Sequence, residues 1–191
     1  MTAPSLVLAS ASHRRLALLA QIGIVPDRVI APDIDESALH NELPRQHALR
    51  LARAKAAAVT VPSCYILAAD TVVAVGRRIL PKVETEADAH RCLTLLSGRR
   101  HRVMTAVVLR APNGRSSERL VQSVVGFSRL SERQIANYLA GDEWRGKAGG
   151  YAIQGRAATF IRFVSGSYSN VVGLPLFETA QLLRGLGWPL P

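Results

Sequence analysis

A group of anion-binding side chains follows the first apolar segment of the chain, in the stretch SASHRR. It contains Ser10, Ser12 and the adjacent arginines Arg14 and Arg15. The surrounding pattern predicts a buried strand that leads into a helix beginning at Ser12. Arginines in a first helical turn oppose the helix dipole unless an anion is bound there. The stretch therefore predicts an anion site, although a capping serine beside two solvated arginines gives the same pattern.

Two further segments bring together charges that suit a metal-bound phosphate. Asp70 ends the apolar run CYILAAD, at the carboxyl end of a predicted strand, where open α/β sheets hold ligands. A hairpin turn at Gly76 and Arg77 is expected to pair Thr71 with Lys82 and to return Lys82 to the side of Asp70. A carboxylate beside an ammonium group suits a metal-bound phosphate. An aspartate at a strand end is also a common turn former.

Three other side chains are candidates with two interpretations each. Lys55 lies on the apolar stripe of a helix predicted from Pro44 to about Val61, and it either extends to the protein edge or reaches into a cleft. Glu36, in the acidic loop PDIDES, is either a second carboxylate for Mg²⁺ or a solvated side chain. Gln154, in KAGGYAIQG, either presents its amide to a base edge or belongs to an ordinary turn.

The elements that must position these groups have a mixed α/β pattern. Two β-rich stretches, HRVMTAVVLRAP and RLVQSVVGFSRL, are expected to pair through the turn at Pro112–Gly114. Helices are expected to start at Ser12, Pro44, Thr85, Ser131 and Pro175. Strands and helices in this alternation predict one domain over residues 1–191, an α/β fold with a mixed, partly antiparallel sheet flanked by helices.

Composition and charge exclude several classes of protein. The 191 residues are 48% hydrophobic and 20% charged, as in soluble globular proteins. No apolar run reaches the roughly 18 residues of a membrane span, and the first residues lack signal-peptide features, so we expect a cytoplasmic protein without membrane contact. Cys64 and Cys92 lack metal-ligand or disulfide spacing and are expected to be reduced core thiols.

The strongly basic charge points to an anionic partner. The formal net charge is +10, but the basic residues occur singly or in pairs, without long runs. Aromatic residues make up only 5% of the chain, too few for an extended platform on which bases stack. A compact anion pocket therefore fits this sequence better than a nucleic-acid track.

Taken in order, these segments resemble the Maf family of nucleoside triphosphate pyrophosphatases. The matching text is LASASHRR, ARAKA, AADTVV, LPKVETEADA, LSGRRHRVMTAV, KAGGYAIQG and GSYSNVVGLPLFET, from about Leu6 to Leu183. The resemblance implies two lobes around a deep cleft, a fold similar to that of inosine triphosphatases, and often a homodimer. It also implies hydrolysis of a nucleoside triphosphate between the α and β phosphorus atoms, with Mg²⁺ or Mn²⁺ as cofactor.

The same resemblance assigns roles to individual residues. It implies that Asp70 is the proton acceptor and shares a metal ion with Glu36. The catalytic cations would be Lys55 and Lys82, and the phosphate-binding residues would be Ser10, Ser12 and Arg15. One branch of the family prefers dTTP, UTP and modified pyrimidine nucleotides, and another prefers 7-methyl-GTP. Three specificity positions match the pyrimidine branch, whereas the other branch has Trp, Glu and Glu there: Arg14, Thr71 and Gln154.

The sequence departs from the family pattern at two places. His13 replaces a proline that would fix the backbone at the first helical position. Pro81 and Val83 flank Lys82 where the family has G-K-P, which changes the backbone that sets the reach of this lysine. Two alternatives stay open: a nucleotide- or nucleic-acid-binding regulator of cell division, to which the family has been linked, and a pyrophosphatase of broader specificity. A regulator would bind nucleotides without turnover.

Overall fold

The computed structural model describes residues 4–189. The strands within this range are β1 (Ser5–Ala9), β2 (Arg28–Ile30), β3 (Cys64–Val75), β4 (Arg78–Leu80), β5 (Lys82–Val83), β6 (Arg100–Arg110), β7 (Ser116–Phe127), β8 (Lys147–Ala148) and β9 (Ile161–Ser165). The α-helices are α1 (His13–Gln21), α2 (Pro44–Ala58), α3 (Glu86–Leu96), α4 (Glu132–Leu139), α5 (Tyr168–Val172) and α6 (Leu176–Gly185), and Arg156–Phe160 forms a 3-10 helix.

Seven of these strands form one mixed sheet. Its order is β2-β1-β3-β6-β7-β9, and β4 pairs with β3 outside this path. β1 runs parallel to β2 and β3, whereas the β3–β4, β3–β6, β6–β7 and β7–β9 pairs are antiparallel. β5 and β8 form a separate two-stranded ribbon. The mixed, partly antiparallel sheet flanked by helices confirms the predicted fold class.

Alternating side chains of the central strands form a core on each face of the sheet. Leu6 and Leu8 of β1 pack into one core with residues of α1, α3, α4 and α6, whereas Val7 and Ala9 face the other core. The second core is covered by the small residues of α2, Ala48, Ala52 and Ala56. Because successive side chains of a strand point to opposite faces, neighbouring residues of β3 also reach different layers.

Local sequence signals define several helix ends and turns. The Thr85 hydroxyl accepts a hydrogen bond from the Asp88 N–H at the start of α3, and Ser131 with Gln134 forms a capping box at the start of α4. The β6–β7 hairpin turns at Gly114, which has a φ of 81°. These starts and this hairpin confirm the predictions from sequence.

The central strand β3 has a gap along one edge. On this edge β1 pairs with β3 only as far as Ala68, and β4 pairs with it only from Val73 onward, while β6 occupies the opposite edge throughout. Residues 69–72 therefore have no strand beside them on one side. Asp70 and Thr71 lie in this gap, so the topology of the sheet opens a ligand site at its centre.

The hairpin after β3 is shorter than the sequence predicted. Val73 pairs with Leu80 as expected, but the expected pairing of Thr71 with Lys82 is wrong. Lys82 instead pairs with Ala148 in the β5–β8 ribbon. Pro81 explains the change, because proline has no N–H to continue a ladder, and its carbonyl accepts from the Gly149 N–H at 3.0 Å.

Other differences are smaller. α2 ends at Ala58, before the predicted Val61, and neither α5 nor the 3-10 helix was expected from the glycine-rich sequence around them. Within residues 4–189, no helix has the length and apolar character needed to cross a membrane. The prediction of one domain over residues 1–191 stays a prediction.

Candidate active site

A cavity of about 620 Å³ opens at the gap in the sheet edge. Its lining comes from the start of α1, the loop after β2, α2, the gap in β3, the β5–β8 ribbon, the loop after β8 and the end of α5. All ten candidate site residues from the sequence line this cavity: Ser10, Ser12, Arg14, Arg15, Glu36, Lys55, Asp70, Thr71, Lys82 and Gln154. Six basic and three acidic side chains are present in the lining, which favours an anionic ligand.

Four charged side chains on the cavity wall form one continuous chain of contacts, which we call the paired group: Asp70, Lys55, Glu36 and Lys82. The Lys55 Nζ lies 2.6 Å from Asp70 Oδ1 and 2.7 Å from Glu36 Oε1. The other carboxylate oxygen of Glu36 accepts from Lys82 Nζ. Sequence reasoning had left Lys55 between two interpretations, and its burial and these contacts confirm that it reaches into the cleft.

Within the paired group the charges stabilise one another. The Lys55 and Asp70 side chains are only 6% and 5% exposed, so each depends on the other for a partner in a weakly screened environment. Partial burial raises the pKa of Glu36, but hydrogen bonds from Lys55 and Lys82 outweigh this and lower the pKa to about 2. Glu36 is therefore ionised at neutral pH.

Lys82 does not lie against Asp70 as the hairpin prediction required. Its ammonium contacts Glu36, and its side chain is about half exposed. The chain turns away from β3 at Pro81, after β4. Lys82 therefore lies on the β5–β8 ribbon and reaches the cavity from there, not from the sheet edge. The two residues share the cavity, but they are connected through Glu36 and Lys55.

Arg15 is fixed by protein acceptors at the start of α1. Its Nε donates to the Gly173 carbonyl at 2.9 Å, its Nη1 to the Ser10 hydroxyl at 3.0 Å and its Nη2 to the Thr71 hydroxyl at 3.3 Å. Burial lowers the pKa of this guanidinium, and the nearby Asp70 partly offsets the effect. Ser12 occupies the predicted N-cap position, but its side chain makes no capping hydrogen bond.

Thr71 is held by a buried polar network. Its hydroxyl lies 3.0 Å from the hydroxyl of Thr105, the residue opposite it on β6, and 3.4 Å from the Gly173 carbonyl. Thr105 in turn donates to the Asn170 carbonyl at 3.0 Å. Sequence reasoning missed Thr105 and Asn170, because only the β3–β6 register and the unexpected helix α5 bring them to this place.

The loop that carries Gln154 is anchored by two tyrosines. The Tyr151 hydroxyl lies 2.7 Å from Nε2 of the buried His101, and the Tyr138 hydroxyl accepts from the Ala152 N–H at 3.3 Å. Burial lowers the pKa of His101 to about 4, which keeps its ring neutral at pH 7. The exposed Gln154 side chain is thus carried by a backbone with fixed attachments.

A glycine at the end of the same loop lies directly against the carboxylate of Glu143. A Cβ at Gly155 would lie 2.0 Å from the carboxylate of Glu143, whose oxygen accepts from the Arg156 N–H at 2.7 Å. Only glycine therefore fits at this position without displacing the carboxylate. Gln154 directly precedes this glycine.

Three other polar side chains of the wall, which we call the open group, lack such partners: Arg14, Gln154 and Lys147. Within residues 4–189, Arg14 and Gln154 make no hydrogen bond, and the Lys147 Nζ donates only to the Arg145 carbonyl, at 2.9 Å. Burial lowers the pKa of Arg14. Lys147 was not among the candidates from the sequence, although it lies in the same glycine-rich segment as Gln154.

The carboxylates of the cavity form a small donor set for a metal ion. No group of three or more His, Cys, Asp and Glu side chains is arranged to hold an ion within residues 4–189. Asp70 and Glu36 both contact the Lys55 ammonium. Such a pair of carboxylates fits Mg²⁺, which commonly takes one or two protein carboxylates and completes its shell with water and substrate phosphates.

The whole chain is similar to a group of bacterial proteins. The sequence model of the family described as Maf-like protein matches residues 5–186. The chain belongs to the Maf-like protein family. A dTTP/UTP pyrophosphatase of Caulobacter vibrioides is 61% identical over 187 residues, covering 97% of each chain. A dTTP/UTP pyrophosphatase of Rhodospirillum rubrum is 63% identical over 185 residues, covering 96% of this chain and 88% of its own.

Solved structures with lower similarity also match this Maf-like protein. The Ham1 protein of Staphylococcus aureus is 16% identical, with a TM-score of 0.44 over 64% of this chain and 71% of its own. A nucleoside-triphosphatase / dITP/XTP pyrophosphatase of Mycobacterium abscessus is 17% identical, with a TM-score of 0.43 over 95% and 94%. The family membership confirms the resemblance found in the sequence motifs.

Proposed function

We propose that this Maf-like protein is a nucleoside triphosphate pyrophosphatase that hydrolyses dTTP and UTP to the monophosphate and pyrophosphate. The observation that carries the proposal is the paired group, which places a carboxylate base among cations in a cavity with an excess of positive charge. Two relatives about 60% identical over nearly the whole chain are named dTTP/UTP pyrophosphatases, which supports the same substrates.

The paired group suggests how the reaction proceeds. Asp70 accepts a proton from a water molecule, whose oxygen then bonds to the α phosphorus. The bond between this phosphorus and the oxygen that bridges to the β phosphorus breaks, and that oxygen leaves with its electron pair as part of pyrophosphate. Lys55 and Lys82 neutralise negative charge on the phosphates, which is the main contribution that a protein makes to such transfers.

Arg15 contributes to phosphate binding mainly because its guanidinium is held in a fixed orientation. Three of its five N–H groups already bind protein oxygens, so two are available to a phosphate. Its fixed orientation means that little side-chain entropy is lost when an anion binds. The hydroxyl groups of Ser10 and Ser12 lie beside it at the helix start and complete the proposed phosphate-binding segment.

A divalent cation, Mg²⁺ or Mn²⁺, is part of the proposal. Asp70 and Glu36 would hold it, with water and substrate phosphates as its other ligands. When bound, the ion supplies charge neutralisation of the triphosphate. Exchange of one metal for another in a turnover assay, after treatment with a chelator, measures this dependence.

Substrate choice is proposed to depend on Arg14, Thr71 and Gln154. Gln154 is exposed to the cavity on an anchored loop, and its amide can both donate to and accept from a pyrimidine edge. Arg14 is half-buried and has no protein partner within residues 4–189. The Thr71 hydroxyl is already bound by its neighbours, so we propose that it shapes the site more than it contacts a base.

We also propose a cytoplasmic location and a homodimer, with removal of unwanted nucleotides as the biological purpose. The proposed substrates belong to the cytoplasmic nucleotide pool, which supports this location. Gel filtration with light scattering gives the mass in solution, and a mass near the 20.6 kDa of one chain would overturn the dimer.

Pyrophosphate release from a panel of nucleotides tests the activity. We expect turnover of dTTP and UTP to exceed that of ATP, GTP and 7-methyl-GTP. Equal or faster turnover of 7-methyl-GTP would contradict the pyrimidine assignment. Binding of UTP without release of pyrophosphate, in the presence of Mg²⁺ and of Mn²⁺, would reject the enzyme and favour the regulator.

A further inference from the structure

The lysines of this chain are distributed differently from its arginines. Of the 24 basic residues, only three are lysines: Lys55, Lys82 and Lys147. All three line the active-site cavity. Outside the cavity the chain uses arginine for every fixed positive charge. The positions of the lysines therefore indicate a need for an ammonium group that the surface positions, which carry arginine, do not have.

The chemistry of lysine suggests what that requirement is. An ammonium group is a compact point charge with three donors on a flexible stem, whereas guanidinium is a broad planar fork. In a cavity crowded with charged groups, the smaller cation can approach a single oxygen atom closely. Lys55 and Lys82 do this with the carboxylate oxygens of Asp70 and Glu36.

Lys147 has no equivalent partner. Its Nζ donates to the Arg145 carbonyl at 2.9 Å, and no carboxylate lies within 4.0 Å of it among residues 4–189. It is half-buried on β8, the strand that pairs with β5 and hence with the backbone of Lys82. Lys147 lines the cavity, and two of its three donors have no protein acceptor among residues 4–189.

The surroundings of Lys147 are electrostatically unfavourable in the absence of a ligand. Burial lowers the pKa of Lys147, and the positive charge of Arg14 lowers it further, against smaller opposing effects of Glu84 and Glu143. Two cations that repel each other across a half-buried cavity wall raise the energy of the unliganded protein. An anion bound between them removes this repulsion.

We propose that Lys147 is a phosphate-binding residue of the active site, whose ammonium group donates to an oxygen of the triphosphate chain. The identity of the ligand rests on the proposed function, whereas the charge argument requires only an oxyanion. Lys147 breaks no bond in this role. It completes a set of three lysines, of which Lys55 and Lys82 are also held by carboxylates and Lys147 is not.

Calorimetric binding of product ligands tests the proposal without turnover. The probes are inorganic pyrophosphate and UMP, each with MgCl2, on wild-type protein and on Lys147→Met, Lys147→Arg and Arg133→Met. We expect Lys147→Met to bind one of the two probes at least about tenfold more weakly, as expected for the loss of a charge-assisted hydrogen bond. Lys147→Arg should lie between this variant and the wild type.

Arg133→Met is the matched control, because it removes one positive charge from the exposed surface of α4, outside the cavity. Its affinities should stay within twofold of the wild type. Weaker binding of pyrophosphate places the contact on the β and γ phosphates, and weaker binding of UMP places it on the α phosphate. If Lys147→Met binds both probes as well as Arg133→Met does, the proposal is wrong.

Two further measurements test whether Lys147→Met affects binding or folding, and whether the role of Lys147 holds independently of the proposed function. Lys147→Met should raise the KM for UTP by more than it lowers kcat, and its thermal unfolding midpoint should be no lower than that of the control. A wild-type protein that releases no pyrophosphate from UTP would defeat the proposed function. Loss of pyrophosphate affinity in Lys147→Met would still support the role of this lysine.

Discussion

The paired group and the open group share one cavity but differ in how their charges are satisfied. In the paired group every charge has an opposite charge in contact with it, and Lys55 and Asp70 are almost completely buried. In the open group, Arg14 and Lys147 carry like charges, and neither contacts a carboxylate within residues 4–189. The paired group neutralises its own charges, whereas the open group leaves two positive charges without a carboxylate in contact.

This difference separates two requirements of an active site. A catalytic base must be held in one position, and buried ion pairs provide that at a large desolvation cost. Groups that recognise the substrate must be available when it arrives, and they remain without protein partners until then. We therefore expect changes in the paired group to affect chemistry and stability, and changes in the open group to affect binding.

The largest expected effect is on chemistry in the paired group. Asp70→Asn keeps the shape of the side chain and an oxygen for Lys55, but it removes the proton acceptor. We expect kcat for UTP to fall by at least about 100-fold, as is typical for the loss of a general base. Pyrophosphate release measures the effect, with Arg133→Met as the control. Turnover within a few-fold of wild type would remove Asp70 from this role.

The second-largest expected effect is on the free energy of unfolding. Lys55→Met leaves the Asp70 carboxylate buried without a partner, which is expected to lower the free energy of unfolding by about 3 kcal/mol. Arg14→Met should change it by less than about 0.5 kcal/mol, because no hydrogen bond or ion pair is lost. Urea denaturation measures both values. The double variant of Lys55→Met with Asp70→Asn should recover part of the loss, and equal values for Lys55→Met and Arg14→Met would contradict the comparison.

A smaller effect concerns the pH dependence of stability. The pKa of Glu36 is lowered from 4.5 to about 2 in the folded protein, so the folded state binds fewer protons than the unfolded state between these values. Its stabilising contribution is complete above about pH 4.5 and is lost as the pH falls toward 2.

Glu36→Gln isolates this contribution from that of the other carboxylates. The wild type should exceed Glu36→Gln in free energy of unfolding by about 1 to 2 kcal/mol at pH 7, because the side chain is one-third exposed and solvent screens its charge. The difference should shrink steadily below pH 4.5 in denaturation measured over a pH series. A difference that is constant down to pH 2 would show that the lysines do not hold this carboxylate.

The smallest effect is expected for Gln154 in the open group. Gln154→Ala removes one neutral hydrogen-bonding side chain, so kcat/KM for UTP should fall about fivefold relative to that for ATP. Its unfolding midpoint should equal that of the wild type, since the exposed side chain makes no hydrogen bond within residues 4–189. An unchanged ratio between the two nucleotides would remove Gln154 from substrate recognition.

Much of the fold could be predicted because its signals are local. The capping residues Thr85 and Ser131 and the turn at Gly114 act within a few residues of the elements that they start or connect. The pairing of Lys82 with Ala148 in place of Thr71 could not be predicted in the same way. Its position depends on whether β4 continues along β3 or leaves it at Pro81, and the strand that receives it lies more than 60 residues later in the chain.

The candidate site shows the same division. The residue types in SASHRR, AADTVV and KAGGYAIQG were sufficient to select ten side chains that all line one cavity. Which of them touch each other was not in the sequence. Arg15 was expected to face an anion, but most of its donors hold Gly173, Ser10 and Thr71, because α5 brings the Gly173 carbonyl within reach.

The sequence by itself determined the family, the α/β class and ten candidate side chains that line one cavity, since these depend on residue type and spacing along the chain. The tertiary structure decided which charges are already neutralised and which are not. That distinction depends on contacts between distant segments, such as Glu36 with Lys82, and on the burial that weakens screening around Lys55 and Asp70. Lys147 became a candidate only when its place among those contacts was known.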